Sequence, residues 1–188
     1  MCLIKFLVDS KKACAKLHVF KNMNDCSYKK IGVFMSITKE SVIAVQNQWG
    51  EGIVKIGAAF TEKQDYTAVA KEHIDTLYAY DLSPVLFKPT KAAQDQFRSN
   101  KDTALSYFVA TNGACSEDKG FAIQPWTKVR FENSDIIVQG NTAVAMGNYY
   151  FTTTEGEEVK VEYTFGYMQD ADGNLRINVH HSSVPFSA

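Results

Sequence analysis

Four consecutive imidazole and hydroxyl side chains, His180-His181-Ser182-Ser183, stand near the end of the chain and are followed by Val184-Pro185. Histidine changes charge near neutral pH, and a hydroxyl beside it can hold a water or donate to an oxygen on which charge develops. Successive side chains of a strand point to opposite faces, so His180 shares one face with Ser182 while His181 shares the other with Ser183. One of these pairs is expected to face the interior. The alternative is that they satisfy backbone groups at a strand end or line a subunit interface. Two further hydroxyls, Thr90 at the exit of a short strand and Tyr107 on a helix, read by themselves as capping or packing residues.

Other chemistries find less support. A zinc site needs about three protein ligands converging on one point. The imidazoles of the chain are His18, His73, His180 and His181, and the adjacent pair points in opposite directions. His73 falls on the apolar face of a helix, where a core histidine is the expected account. Cys2, Cys14 and Cys26 crowd into the first 26 residues, Cys115 stands apart, and no C-x-x-C pair occurs, so neither a thiolate zinc site nor a disulfide framework is supported. Asp170, Asp172 and Gly173 read as a hairpin turn, because the other acidic ligands of a calcium loop and its closing Glu are missing. Ser182 lacks both an acid placed to orient the histidine and a Gly-x-Ser-x-Gly elbow, which argues against a serine hydrolase. No metal and no cofactor is expected.

The elements that must position these residues follow from composition and period. A chain of 188 residues, 45% apolar and 22% charged, is expected to fold as one globular domain. Twenty basic against 21 acidic residues leave a net charge of −1 and no surplus positive field for nucleic acid. No apolar run approaches the roughly 20 residues of a membrane span. Met1–Val8 is broken by Lys5 and does not make a convincing secretory signal. Residues 1–35 show no stable apolar period and read as an extension, with a single domain over 36–188. Val42, Val45, Trp49, Ile53 and Ile56 recur at three- and four-residue steps and predict a helix over 38–60. Ala70, His73, Ile74 and Leu77 predict a second within 65–80, and Val85-Leu86-Phe87 a brief strand. Ser99 with Asp102 reads as the N-cap of a third helix over 100–112.

Beyond Gly120 the period becomes two. Val159, Val161, Tyr163, Phe165 and Tyr167 alternate with polar residues, strands over 141–153 and 175–183 flank them, and Glu155-Gly156 and Asp172-Gly173 mark hairpin turns. The fold class is therefore α+β: helices packed on one face of a curved antiparallel sheet built mainly from 121–183, with a pocket between the layers. The late strands are apolar on both faces, Val144, Met146 and Tyr150 against Ala145, Tyr149 and Phe151. One face takes the helices, and the other predicts a homodimer.

The run from Leu77 to Pro185 resembles the iota class of carbonic anhydrases, which share a cone-shaped, nuclear transport factor 2-like (cystatin-like) fold with ketosteroid isomerase and the calcium/calmodulin-dependent kinase II association domain. The marks are Leu77-Tyr78-Ala79, Leu86-Phe87-Lys88-Pro89-Thr90, Ser106-Tyr107-Phe108, Tyr163-Thr164-Phe165 and His180-His181-Ser182-Ser183-Val184-Pro185. The resemblance implies reversible hydration of carbon dioxide to bicarbonate without a metal. Thr90, Tyr107, His180 and Ser182 would carry the chemistry, with His180 orienting water or shuttling its proton. Phe87, Phe108, Tyr163 and Phe165 would form an apolar wall for carbon dioxide. A bulge near His180 would present His181 and Ser183 instead. The resemblance suggests a chloroplast location if the source is algal, and periplasm or cytoplasm if it is bacterial. Two other classes share the architecture. An inert association module would show no hydratase activity, and an isomerase- or SnoaL-like enzyme needs a carboxylate base, whereas few carboxylates fall on the predicted inner faces.

Overall fold

The computed structural model describes residues 36–187, and the extension expected over 1–35 lies outside the described residues. Helix α1 (Lys39–Thr61) opens on a reciprocal cap, in which the Thr38 hydroxyl accepts from the Ser41 N–H and the Ser41 hydroxyl accepts from the Thr38 N–H. Its predicted stripe is buried at Val42, Trp49, Ile53 and Ile56, and Gln46 is buried with them. Helix α2 (Tyr66–Leu77) is capped by the Asp65 carboxylate and buries Ala70, His73, Ile74 and Leu77, the face expected from the period. Gly52 makes room for this packing, since a Cβ there would stand 2.1 Å from His73 Nδ1.

Strand β1 (Leu86–Lys88) and helix α3 (Lys101–Val109) follow. The α3 cap is Asn100 with Thr103, not Ser99 with Asp102: the Asn100 carboxamide accepts from the Thr103 N–H while the Thr103 hydroxyl reaches back to the Asn100 N–H. The helix stops at Val109 rather than near 112, because Ala110 turns left-handed with φ 55°.

A 3₁₀ turn at Phe121–Ile123 leads into β2 (Lys128–Gln139), β3 (Thr142–Thr152), β4 (Glu158–Gln169) and β5 (Leu175–Ser183). Spatial order is β1-β5-β4-β3-β2. Pairing is antiparallel except at one edge, where β1 runs parallel to β5, so the sheet is mixed rather than wholly antiparallel. The whole of α3 and three strands lie between β1 and β5, more than enough chain for a parallel crossover. β2 is not legible as a separate strand in the sequence, because its alternation is broken at Ser134, which a bulge leaves unpaired. That bulge sits against Gly147, where a Cβ would come within 2.0 Å of the Glu132 carbonyl oxygen. The turn glycines Gly156 and Gly173 have φ of 86° and 89°, which glycine adopts without strain. α1, α2 and α3 close over one face of this sheet, and the core lies between the layers. Among the described residues, no helix is long and apolar enough to cross a membrane.

Candidate active site

A second bulge decides which side of β5 faces the helices. Pairing passes from Tyr167↔Ile177 to Gly166↔Val179, leaving Asn178 without a partner. Leu175 and Ile177 are buried, so unbroken alternation would next bury 179, 181 and 183. The extra residue shifts the phase, and His180 and Ser182 turn inward at 2% exposure each. His181 and Ser183 lie on the opposite face, where Ser183 donates to the Glu162 carboxylate at 3.0 Å. The expectation that a bulge near His180 brings in His181 and Ser183 is therefore reversed. Counted from the buried Ile177, the bulge is what brings His180 and Ser182 inward, and it takes the other two out of the interior lining.

The inward serine meets the end of β1. The register sets Phe87 beside His180, and the chain beyond β1 delivers Thr90, whose hydroxyl donates to Ser182 Oγ at 2.9 Å. Tyr149 of β3 joins them, the hydroxyls of Ser182 and Thr90 both facing its oxygen. Tyr107 of α3 is buried, its ring stacked on Phe121 at 5.6 Å and set edge-on to Phe87 at 5.8 Å. Burial pushes the Tyr107 and Tyr149 hydroxyls well above the usual phenol range, so both stay protonated. The backbone N–H groups of Lys91 and Thr90 act against that rise at Tyr107. Tyr107 also lines a small cleft with Lys91, Lys119, Gly120 and Gln124.

His180 lies further along the same face in an aromatic box. Its ring stacks on Phe87 at 4.4 Å and meets Phe165 at 4.2 Å and Trp49 at 5.4 Å, both edge-on. Burial holds its pKa well below the usual histidine range, so the ring is neutral. Nδ1 is 2.8 Å from the Tyr78 hydroxyl, which in turn accepts the Trp49 Nε1–H at 3.0 Å. Nε2 has no hydrogen-bond partner among the described residues. A neutral ring with one nitrogen already engaged suits positioning better than the proton shuttling considered from sequence.

The predicted apolar wall divides. Phe87, Phe108 and Phe165 are fully buried, and Phe108 stacks on Phe87 at 5.9 Å. Tyr163 is buried too, but its hydroxyl donates to Asn133 at 2.7 Å and accepts from Gln46 at 3.2 Å, a polar network that burial accompanies by pushing its pKa up to about 12. His73 is a core ring between Trp49 and Phe108, lowered to about 3 by burial.

Sequence reasoning missed a buried ion pair that supports the site. Arg98 is fully buried and donates to Asp118 at 2.7 Å, with its guanidinium 5.9 Å from the Tyr107 ring centre. The Arg98 N–H donates to the Phe87 carbonyl at 2.8 Å, and the Glu117 carboxylate accepts from the N–H groups of Ala93, Gln94 and Asp95. The segment carrying Thr90 and Lys91 is thereby tied down at its far end. Arg98 lies in a stretch without apolar period, so no local pattern announces it. Tyr149 was equally silent as a site residue, since only pairing across β3 and β4 places it near Ser182. Among the described residues, no three His, Cys, Asp or Glu side chains are grouped to hold a metal ion.

Three helices on one face of a five-stranded sheet, with a hydroxyl group between the layers, define an α+β protein of the nuclear transport factor 2-like class. The calcium/calmodulin-dependent kinase II association domain of Xanthomonas campestris shares this fold, at 21% identity and a TM-score of 0.57 over 81% of this chain and 91% of that one. Within that class the assignment narrows, because the profile of the family described as metal-independent carbonic anhydrase matches residues 40–184, and the chain belongs to that family. It is 42% identical over 154 residues to the metal-independent carbonic anhydrase of Nostoc sp., covering 80% of this chain and 75% of the relative. The crystal structure of an iota-carbonic anhydrase from a cyanobacterium, complexed with bicarbonate, superposes with a TM-score of 0.79 at 41% identity, covering 81% of this chain and 95% of that one.

Proposed function

We propose that this chain hydrates carbon dioxide reversibly to bicarbonate, without a metal, at the hydroxyl group formed by Thr90, Ser182, Tyr107 and Tyr149. The family match carries the reaction, and the direct Thr90 to Ser182 bond beside the aromatic box carries the site. Carbon dioxide is apolar and partitions against Phe87 and Phe165, while the hydroxyls hold water on the opposite wall. In the forward step the water oxygen bonds to the carbon, one C=O electron pair moves onto its oxygen, and a water proton is released to solvent. Charge develops on the substrate oxygens. Thr90 donates to Ser182 and leaves the Ser182 proton available, and burial keeps Tyr107 and Tyr149 protonated, so each can donate to those oxygens. Orientation and donation supply the rate where no metal lowers the pKa of water. The isomerase-type reading has less support, because the buried carboxylate Asp118 is held by Arg98 and is not free to act as a base.

Stopped-flow hydration measured with a pH indicator tests the face of β5. Ser182→Ala should lower the rate about tenfold, the loss of one of the site's several hydrogen-bond donors. Ser183→Ala should match the wild type. Equal rates for wild type and Ser182→Ala would overturn the hydroxyl site.

The outer sheet face supports a homodimer. Ile137 pairs with Val144 and Asp135 with Met146, and the three apolar residues are 67%, 44% and 57% exposed on the side away from the helices. Sedimentation at micromolar concentration should show a dimer, and Met146→Lys should shift it toward monomer. A monomeric wild type contradicts the proposal.

A further inference from the structure

We propose that Tyr78, itself held by Trp49, is a positioning residue that fixes His180 as the Nε2–H tautomer and so makes the ring a hydrogen-bond donor to a substrate oxygen rather than the base that takes the water proton. The inference rests on the carbonic anhydrase reading for the identity of the acceptor, but not for the tautomer. The indole Nε1–H of Trp49 can only donate. It donates to the Tyr78 oxygen at 3.0 Å. The Tyr78 hydroxyl retains one proton, and His180 Nδ1 is 2.8 Å away. If Tyr78 gives that proton to Nδ1, the ring's own proton sits on Nε2, and that N–H is the one polar group of the relay left without a partner. In the opposite tautomer Nδ1–H would point at Tyr78, which would then accept twice. Its own proton would be left buried without an acceptor, since Tyr78 has no other hydrogen-bond partner among the described residues, and the bare Nε2 would be a second group without a partner. The first arrangement costs less.

It leaves His180 Nε2–H as a buried donor without an acceptor among the described residues. Phe87, Phe165 and Trp49 wall the ring and offer none. A donor left bare in such a place is costly, so the fold carries it for something that binds. Ser182 follows on the same face of β5, roughly 6–7 Å along the strand, a spacing that carbon dioxide with its attacking water can bridge. Tyr78 stays protonated, because burial raises its pKa well above the usual phenol range. It therefore acts on the substrate only through the ring it orients.

Long-range ¹H–¹⁵N spectra of the ¹⁵N-labelled protein at pH 7, with His180 assigned by its loss in His180→Gln, read the tautomer directly. The expected result is a protonated Nε2 and a bare Nδ1. Tyr78→Phe should shift the ring toward the Nδ1–H form and lower kcat for hydration tenfold or more. A wild-type ring protonated on Nδ1 overturns the proposal without any variant having to fold. A folded Tyr78→Phe with unchanged spectrum and rate overturns it as well. An Nε2–H ring in a protein that does not hydrate carbon dioxide upholds the tautomer and overturns the carbonic anhydrase reading instead.

Discussion

Replacing Arg98 by Met should lower the free energy of unfolding by about 3–5 kcal/mol, the effect of removing one partner from a buried ion pair. Arg98 has 0% side-chain exposure and Asp118 has 1%, at 2.7 Å from each other. With the guanidinium gone, the Asp118 carboxylate stays buried without its counter-charge. The cost lies in that stranded charge rather than in the attraction itself, so Arg98→Met combined with Asp118→Leu should recover much of the loss. Urea denaturation of the two variants measures this. A single variant within 1 kcal/mol of the wild type would show that the pair does not support the core beside Tyr107.

The second large effect belongs to Tyr107→Phe. The ring remains on Phe121 and Phe87, so packing is kept and stability should change little. The hydroxyl is lost. Burial keeps that hydroxyl protonated, so what it offers is its proton, aimed at developing charge. Loss of one preorganised donor typically costs about 10²–10³ in kcat. Hydration should therefore fall at least a hundredfold with the melting temperature near that of the wild type. Ser182→Ala should cost less, because Thr90 and Tyr149 remain to donate in its place. A Tyr107→Phe enzyme that is folded and fully active would remove Tyr107 from the site.

The helical half of the fold was legible because burial repeats along one stripe. Val42, Trp49, Ile53 and Ile56 are the buried face of α1, and Ala70, His73, Ile74 and Leu77 that of α2. The strands were legible only where alternation survives: β3 and β4 follow the period of two and β5 does so on either side of Asn178, whereas the bulge at Ser134 hides β2. Parallel pairing of β1 with β5 could not be seen, since both partners are short apolar runs and nothing local encodes direction. Thr90, Tyr107, His180 and Ser182 were named from the family resemblance. Spacing alone left the choice between the two faces of β5 open, and one unpaired residue, Asn178, settles which face is inward. The roles of Tyr149, Trp49, Tyr78 and Arg98 in the site carry no local signal, because each acquires its partners there across distant elements.

The central claim is hydration of carbon dioxide at a hydroxyl site that needs no metal, and the most direct measurement is the stopped-flow hydration rate of protein dialysed against chelator and checked for residual metal. The rate should equal that of untreated protein and stay unchanged when zinc is added back, whereas a rate abolished by chelation and restored by zinc would contradict the account.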